Sequence, residues 1–197
     1  MNKLEGFFEL QTLPLPSVPW KRYTGKETFS KDALWTVRSA FGKGADFHLP
    51  RKVGAAAEEA QAFADDLLRK FSSDDYIIYY PYFIAEKSGT LEITASRSVV
   101  EAVRGDLWNL LTHNLRDVTV IEEKGSYQAY GDPSFLTDEE LKELYGYAGY
   151  LRRKYGTSML IDQSLLLEWS YAYDTAADGS PKGARKLLFI EMRSVRL

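Results

Sequence analysis

Residues 164–195 read SLLLEWSYAYDTAADGSPKGARKLLFIEMRSV, two strand-like runs on either side of a loop of turn formers. The runs are Leu165–Asp174 and Lys186–Val195, and the loop contains Asp178-Gly179-Ser180-Pro181. Side chains alternate along a strand. The first run therefore sends Leu167, Trp169, Tyr171 and Tyr173 to one face and Glu168, Ser170 and Ala172 to the other. The second sends Leu188, Ile190 and Met192 one way and Phe189, Glu191 and Arg193 the other. A C-terminal β-hairpin symmetric about Gly179-Ser180 sets Glu168 directly opposite Glu191.

That pairing is costly, because directly opposed like charges destabilise a sheet. Two acids on one face, with an apolar face behind them, call for a cation between them. Mg²⁺ suits the position, since it is commonly held by one or two carboxylates together with substrate phosphates. Arg193, two residues beyond Glu191 on the same face, is placed to hold a phosphate by a charge-assisted contact. An exposed face in which Arg193 neutralises Glu191 is the structural alternative.

Leu167-Glu168-Trp169 and Ile190-Glu191-Met192-Arg193-Ser194, with Val37-Arg38-Ser39 earlier in the chain, carry a resemblance. The chain resembles the ATP-grasp-type nucleotide-binding domain of the phosphoenolpyruvate synthase and pyruvate phosphate dikinase family. The resemblance implies ATP and Mg²⁺ as cofactors. It gives Glu168 and Glu191 the metal–nucleotide, and Arg38 and Arg193 the phosphates and the transferred group. It implies that the strand joining two lobes passes the adenine, so that Tyr79, Tyr80 or Tyr82 lines a base pocket. Glu191 stands where the family has Gln. The family's GLGE segment is replaced by Gly105-Asp106-Leu107-Trp108. Full family members relay phosphate through a histidine on a further domain, so the resemblance implies either that this chain passes phosphate to an acceptor on another chain or that it only binds nucleotide.

The 197 residues, 45% of them hydrophobic, suit one domain with a substantial core. A net charge of -3 gives no electrostatic footprint for nucleic acid. Without cysteine there are no disulfides or thiolate ligands, and the two histidines, His48 and His113, are too far apart in sequence to suggest a metal cluster. His48 is a loop histidine read as a surface residue. No apolar run approaches a membrane span and the start is not a signal peptide, so the expected location is cytoplasmic.

Residues 1–32 read as an irregular, proline-stiffened segment, with Gly25-Lys26 offering Lys26 to a phosphate. Ala33–Ala40 reads as a strand, residues 41–52 as a loop, and Ala55–Phe71 as an amphipathic helix. Tyr76–Glu86 reads as a strand broken at Pro81, Lys87-Ser88-Gly89 as a turn, Thr90–Ser96 as a strand, and Arg97–His113 as a helix. Residues 117–130 suggest a strand pair about Gly125. Thr137 with Glu140 caps a helix that Gly156 stops. The expected fold is α+β, with ATP-grasp-like mixed sheets, flanking helices and a ferredoxin-like βαββαβ stretch over residues 33–122. That stretch supports a rival function: a non-catalytic binding or structural subunit whose tyrosine-rich strands take a ligand or nucleic acid.

Overall fold

The computed structural model describes residues 1–41, 49–71, 75–156 and 160–196 of the chain. Among the described residues the order is α1 (Lys3–Thr12), β1 (Lys21–Arg22), β2 (Trp35–Phe41), β3 (Arg51–Ala55), α2 (Ala57–Lys70), β4 (Asp75–Pro81) and β5 (Phe83–Ile93). There follow β6 (Arg97–Arg104), α3 (Trp108–Leu111), β7 (Val118–Glu123), β8 (Ser126–Gly131), α4 (Asp138–Tyr155), β9 (Gln163–Thr175) and β10 (Pro181–Arg196). The result is a mixed α+β fold with two antiparallel sheets, ordered β1-β4-β2-β3 and β10-β9-β5-β6-β7-β8, and a C-terminal hairpin. The ferredoxin-like reading is corrected in its topology: β2 and β4 belong to one sheet, and β5, β6 and β7 to the other.

Each sheet buries one face against a helix. The six-stranded sheet packs Leu91, Val100, Leu167 and Trp169 into one core with Leu144, Ala148 and Leu151 of α4. The four-stranded sheet packs Val37, Ile77 and Tyr79 with Ala60, Ala64 and Leu67 of α2. A third cluster joins the two units, with Phe7 of α1, Trp20, Ile78, Tyr80, Leu188 and Ile190.

Three sequence expectations are corrected. Residues 1–32 are not irregular throughout: Lys3–Thr12 forms α1, opened by a capping box between Asn2 and Glu5. Leu4, Phe7 and Leu10 are its buried stripe, a helical spacing that the prolines following it obscured. The helix expected over Arg97–His113 is instead β6 followed by the single turn α3. Ser98, Val100 and Ala102 are buried in strand alternation there, and the β-branched valines fit a pleated surface. The Lys87-Ser88-Gly89 turn is also absent, since all three residues lie inside β5.

Gly89 is needed for packing rather than for turning. A Cβ at this position would lie 1.9 Å from Glu101 O and 2.5 Å from the Trp169 ring. Gly89→Ala is therefore expected to lower stability by about 1–3 kcal/mol, the usual range for overpacking. Urea unfolding would show this as a lower midpoint at unchanged slope.

Pro81 fixes the junction between the units. It ends β4, and Tyr82 N then donates to Leu34 O at 2.8 Å before the chain enters β5 in the other sheet. The expected break at Pro81 is thus a change of sheet.

Candidate functional site

A cleft of about 340 Å³ opens between the two sheets beside this junction. Strands β2 and β3 contribute Thr36, Arg38, Arg51 and Val53, the junction contributes Tyr80, Tyr82 and Phe83, and the α3 turn contributes Asp106, Leu107, Trp108 and Leu111. Glu168 from β9 and Ile190 from β10 complete it. Arg38, Arg51, Asp106 and Glu168 are its charged residues, and the rest of the lining is mostly aromatic and aliphatic.

The central expectation about the hairpin holds: Glu191 is the register partner of Glu168. The route to that register differs from the symmetric turn. Thr175 pairs with Pro181, and two irregularities, between Lys182 and Lys186 and between Phe189 and Glu191, shift the ladder back into place. The second leaves Ile190 as an extra residue on β10. A bulge of this kind re-aims side chains, so Glu191 joins the side of Leu188 and Ile190, while Met192 joins the core with Phe189. The expected alternation of β10 is corrected at that point.

Both acids are buried, Glu168 to 9% exposure and Glu191 to 1%. Arg38 Nη2 lies 3.2 Å from Glu191 Oε2, and Lys3 Nζ of α1 lies 3.5 Å from Oε1. Glu191 Oε1 is buried without a hydrogen bond among the described residues. Burial and then the adjacent Glu191 push the Glu168 carboxyl up from the ordinary 4.5 to about 7, against the opposing pull of Arg38, Lys3 and Arg193. Burial works against the charge on Arg38, but Tyr80, Glu191 and Glu168 outweigh it and hold the guanidinium protonated. Burial likewise raises the Tyr80 phenol. Tyr82 is raised by burial and by Asp106.

The raised Glu168 has a definite sign in stability. Between pH 4.5 and about 7 the folded state keeps a proton that the unfolded chain releases. This contribution is fully present below pH 4.5 and is lost as pH rises through about 7. Glu168→Gln removes it, so the stability of Glu168→Gln relative to the wild type is expected to rise across that window and level off above it. Chemical denaturation of both proteins over that pH range measures the difference.

Of the sequence-chosen residues, Arg38, Tyr80, Tyr82 and Glu168 line the cleft, and Glu191 sits directly behind it on Arg38. Arg193 lies one row further along, opposite Leu166, and does not line it. Lys26 is not brought to the site: it lies on an exposed turn, where its backbone N–H donates to Glu27. Tyr79 points the other way, into the α2 core. Tyr79 and Tyr80 are both buried, so neither is a free stacking surface. His48 lies outside the described residues. Sequence reading passed over Thr36, Arg51 and Trp108. Arg51 stood in a segment read as loop, and only its pairing with β2 brings it to the cleft.

No protein-family model matches the chain, and no curated protein matches it. Among solved structures it is similar to the macrocyclase MdnC, bound with precursor peptide MdnA, from Microcystis aeruginosa MRC, at 11% identity and a TM-score of 0.42. The similarity covers 96% of this chain and 51% of that one, so the chain spans about half the length of that structure. The resemblance to the phosphoenolpyruvate synthase and pyruvate phosphate dikinase family is corrected by these comparisons, none of which leads to that family. Its motifs are short, and Gly105-Asp106-Leu107-Trp108, set against the family's GLGE segment, lies where β6 gives way to the α3 turn. No helix among the described residues is long and apolar enough to cross a membrane.

Proposed function

We propose that the cleft binds ATP through Mg²⁺, with Glu168 and Glu191 as the protein's metal ligands and Arg38 as a phosphate contact. The observation that carries this reading is the direct opposition of two buried acids, Glu168 lining the cleft and Glu191 directly behind it on Arg38. Among the described residues no group of three or more His, Cys, Asp or Glu is gathered to hold a metal. Two carboxylates suit an ion that takes its remaining ligands from phosphate and water. Bound there, the cation would neutralise phosphate charge. Arg38 would orient the phosphoryl group, and the rings of Tyr82, Phe83 and Trp108 would offer surface to the base. Phosphoryl transfer to an acceptor on another chain is the activity the reading implies, a reaction that rests on positioning and charge stabilisation.

Calorimetric titration with ATP, with and without Mg²⁺, tests the binding. Mg²⁺-dependent heat is expected. No binding at millimolar ATP in either condition would overturn the reading.

A further inference from the structure

The cleft holds a second like-charged pair. Arg38 on β2 and Arg51 on β3 are direct register partners, and both line the cleft. Directly opposed cations destabilise a sheet just as opposed acids do. Arg38 has a counter-charge in Glu191 at 3.2 Å. Arg51 forms no ion pair among the described residues. Its guanidinium carbon instead lies 4.1 Å from the centroid of the Trp108 ring. That ring is on the α3 turn and is 45% exposed, so the contact spans the cleft from one sheet to the element facing it.

A cation–π contact at a wet site is weak. A guanidinium on phosphate makes two parallel charge-assisted hydrogen bonds, a stronger contact with fixed geometry. Two arginines side by side match an anion with several oxygens in a row. A single carboxylate would leave one of them unmatched.

We propose that Arg51 is the outer half of a two-arginine polyphosphate clamp, exchanging the Trp108 ring for phosphate oxygens when the ligand enters. Arg38 holds the phosphate nearest the acid pair, and Arg51 holds one further out. Trp108, relieved of the guanidinium, presents its ring face to the cleft. The ligand class rests on the nucleotide reading above, whereas the arginine pairing does not depend on the metal.

Inorganic tripolyphosphate and Mg-ATP separate the two ideas. Both would be titrated into the wild type, Arg51→Ala, Arg51→Lys and Trp108→Phe, with tryptophan emission recorded alongside calorimetry. Trp20 and Trp169 are buried and the half-buried Trp35 does not line the cleft, so loss of the signal in Trp108→Phe identifies its source. Arg51→Ala is expected to weaken both probes by roughly tenfold to a hundredfold, the equivalent of a charge-assisted hydrogen bond. Arg51→Lys is expected to recover only part of the loss. Emission should change on binding to the wild type, and Trp108→Phe should lose the change while still binding tripolyphosphate, which has no base for the ring to meet. Arg51→Ala binding both probes as the wild type does would overturn the clamp and leave the nucleotide reading standing. Failure of the wild type to bind either probe would overturn both.

Discussion

Glu168→Gln is expected to make the protein more stable above pH 7 and to weaken Mg²⁺-dependent nucleotide binding by roughly thirtyfold or more. The two effects have one cause. Glu168 is buried opposite a second carboxylate, and its ionised form is disfavoured by burial and by Glu191. An uncharged isostere relieves that opposition by an amount on the order of 1 kcal/mol. The same change removes a metal ligand from a desolvated position. Losing one partner of such a contact costs about 2 kcal/mol or more, equivalent to roughly a thirtyfold loss of affinity. Glu191→Gln should share the binding loss but destabilise the fold, because Arg38 and Lys3 are left without their counter-charge. Opposite signs in stability with the same sign in binding separate a site from a plain structural pair. Denaturation midpoints and calorimetry on the two single substitutions read both quantities.

Arg38→Met is expected to be strongly destabilising, by about 3–5 kcal/mol, the cost of breaking a buried ion pair from one side. Glu191 would keep only Lys3, which stands 3.5 Å away without a hydrogen bond to Oε1. A loss of that size is a large fraction of the stability of an ordinary domain. Arg38→Met/Glu191→Leu should recover most of it, since replacing both partners with apolar groups of similar shape is often close to neutral. The double-mutant cycle then gives the coupling energy. Recovery of the fold without recovery of ATP binding is the expected pattern.

The sequence showed the parts of this fold where one local signal is strong. The apolar spacing of α2, the Thr137–Glu140 box of α4 and the Asp-Gly loop of the hairpin each specify their element without tertiary help. It misled where local signals conflict with packing. Residues 97–104 carry valines and alanine that fit a helix or a strand, and pairing of β6 with β5 and β7 decided the matter. Gly89 resembled a turn glycine because its neighbour Trp169 is 80 residues away in the chain.

The site was legible for the same reason in part. Glu168 and Glu191 belong to a single hairpin, so a symmetric turn already sets them opposite each other, although the ladder reaches that register through two irregularities. The bulge at Ile190, which sets Glu191 on the side of Arg38, depends on packing and leaves no trace in the alternation. Arg51 and Trp108 come from different elements on either side of the cleft, and only the assembled fold places one on the other.

The position of a bound metal ion tests the two-carboxylate site directly. Crystals grown with Mn²⁺ and a non-hydrolysable ATP analogue would be measured at the manganese absorption edge. An anomalous peak is expected between the carboxylates of Glu168 and Glu191, with phosphate oxygens completing its coordination and Arg38 on the adjoining phosphate. An ordered nucleotide elsewhere, or a cleft nucleotide whose metal touches neither glutamate, would contradict it.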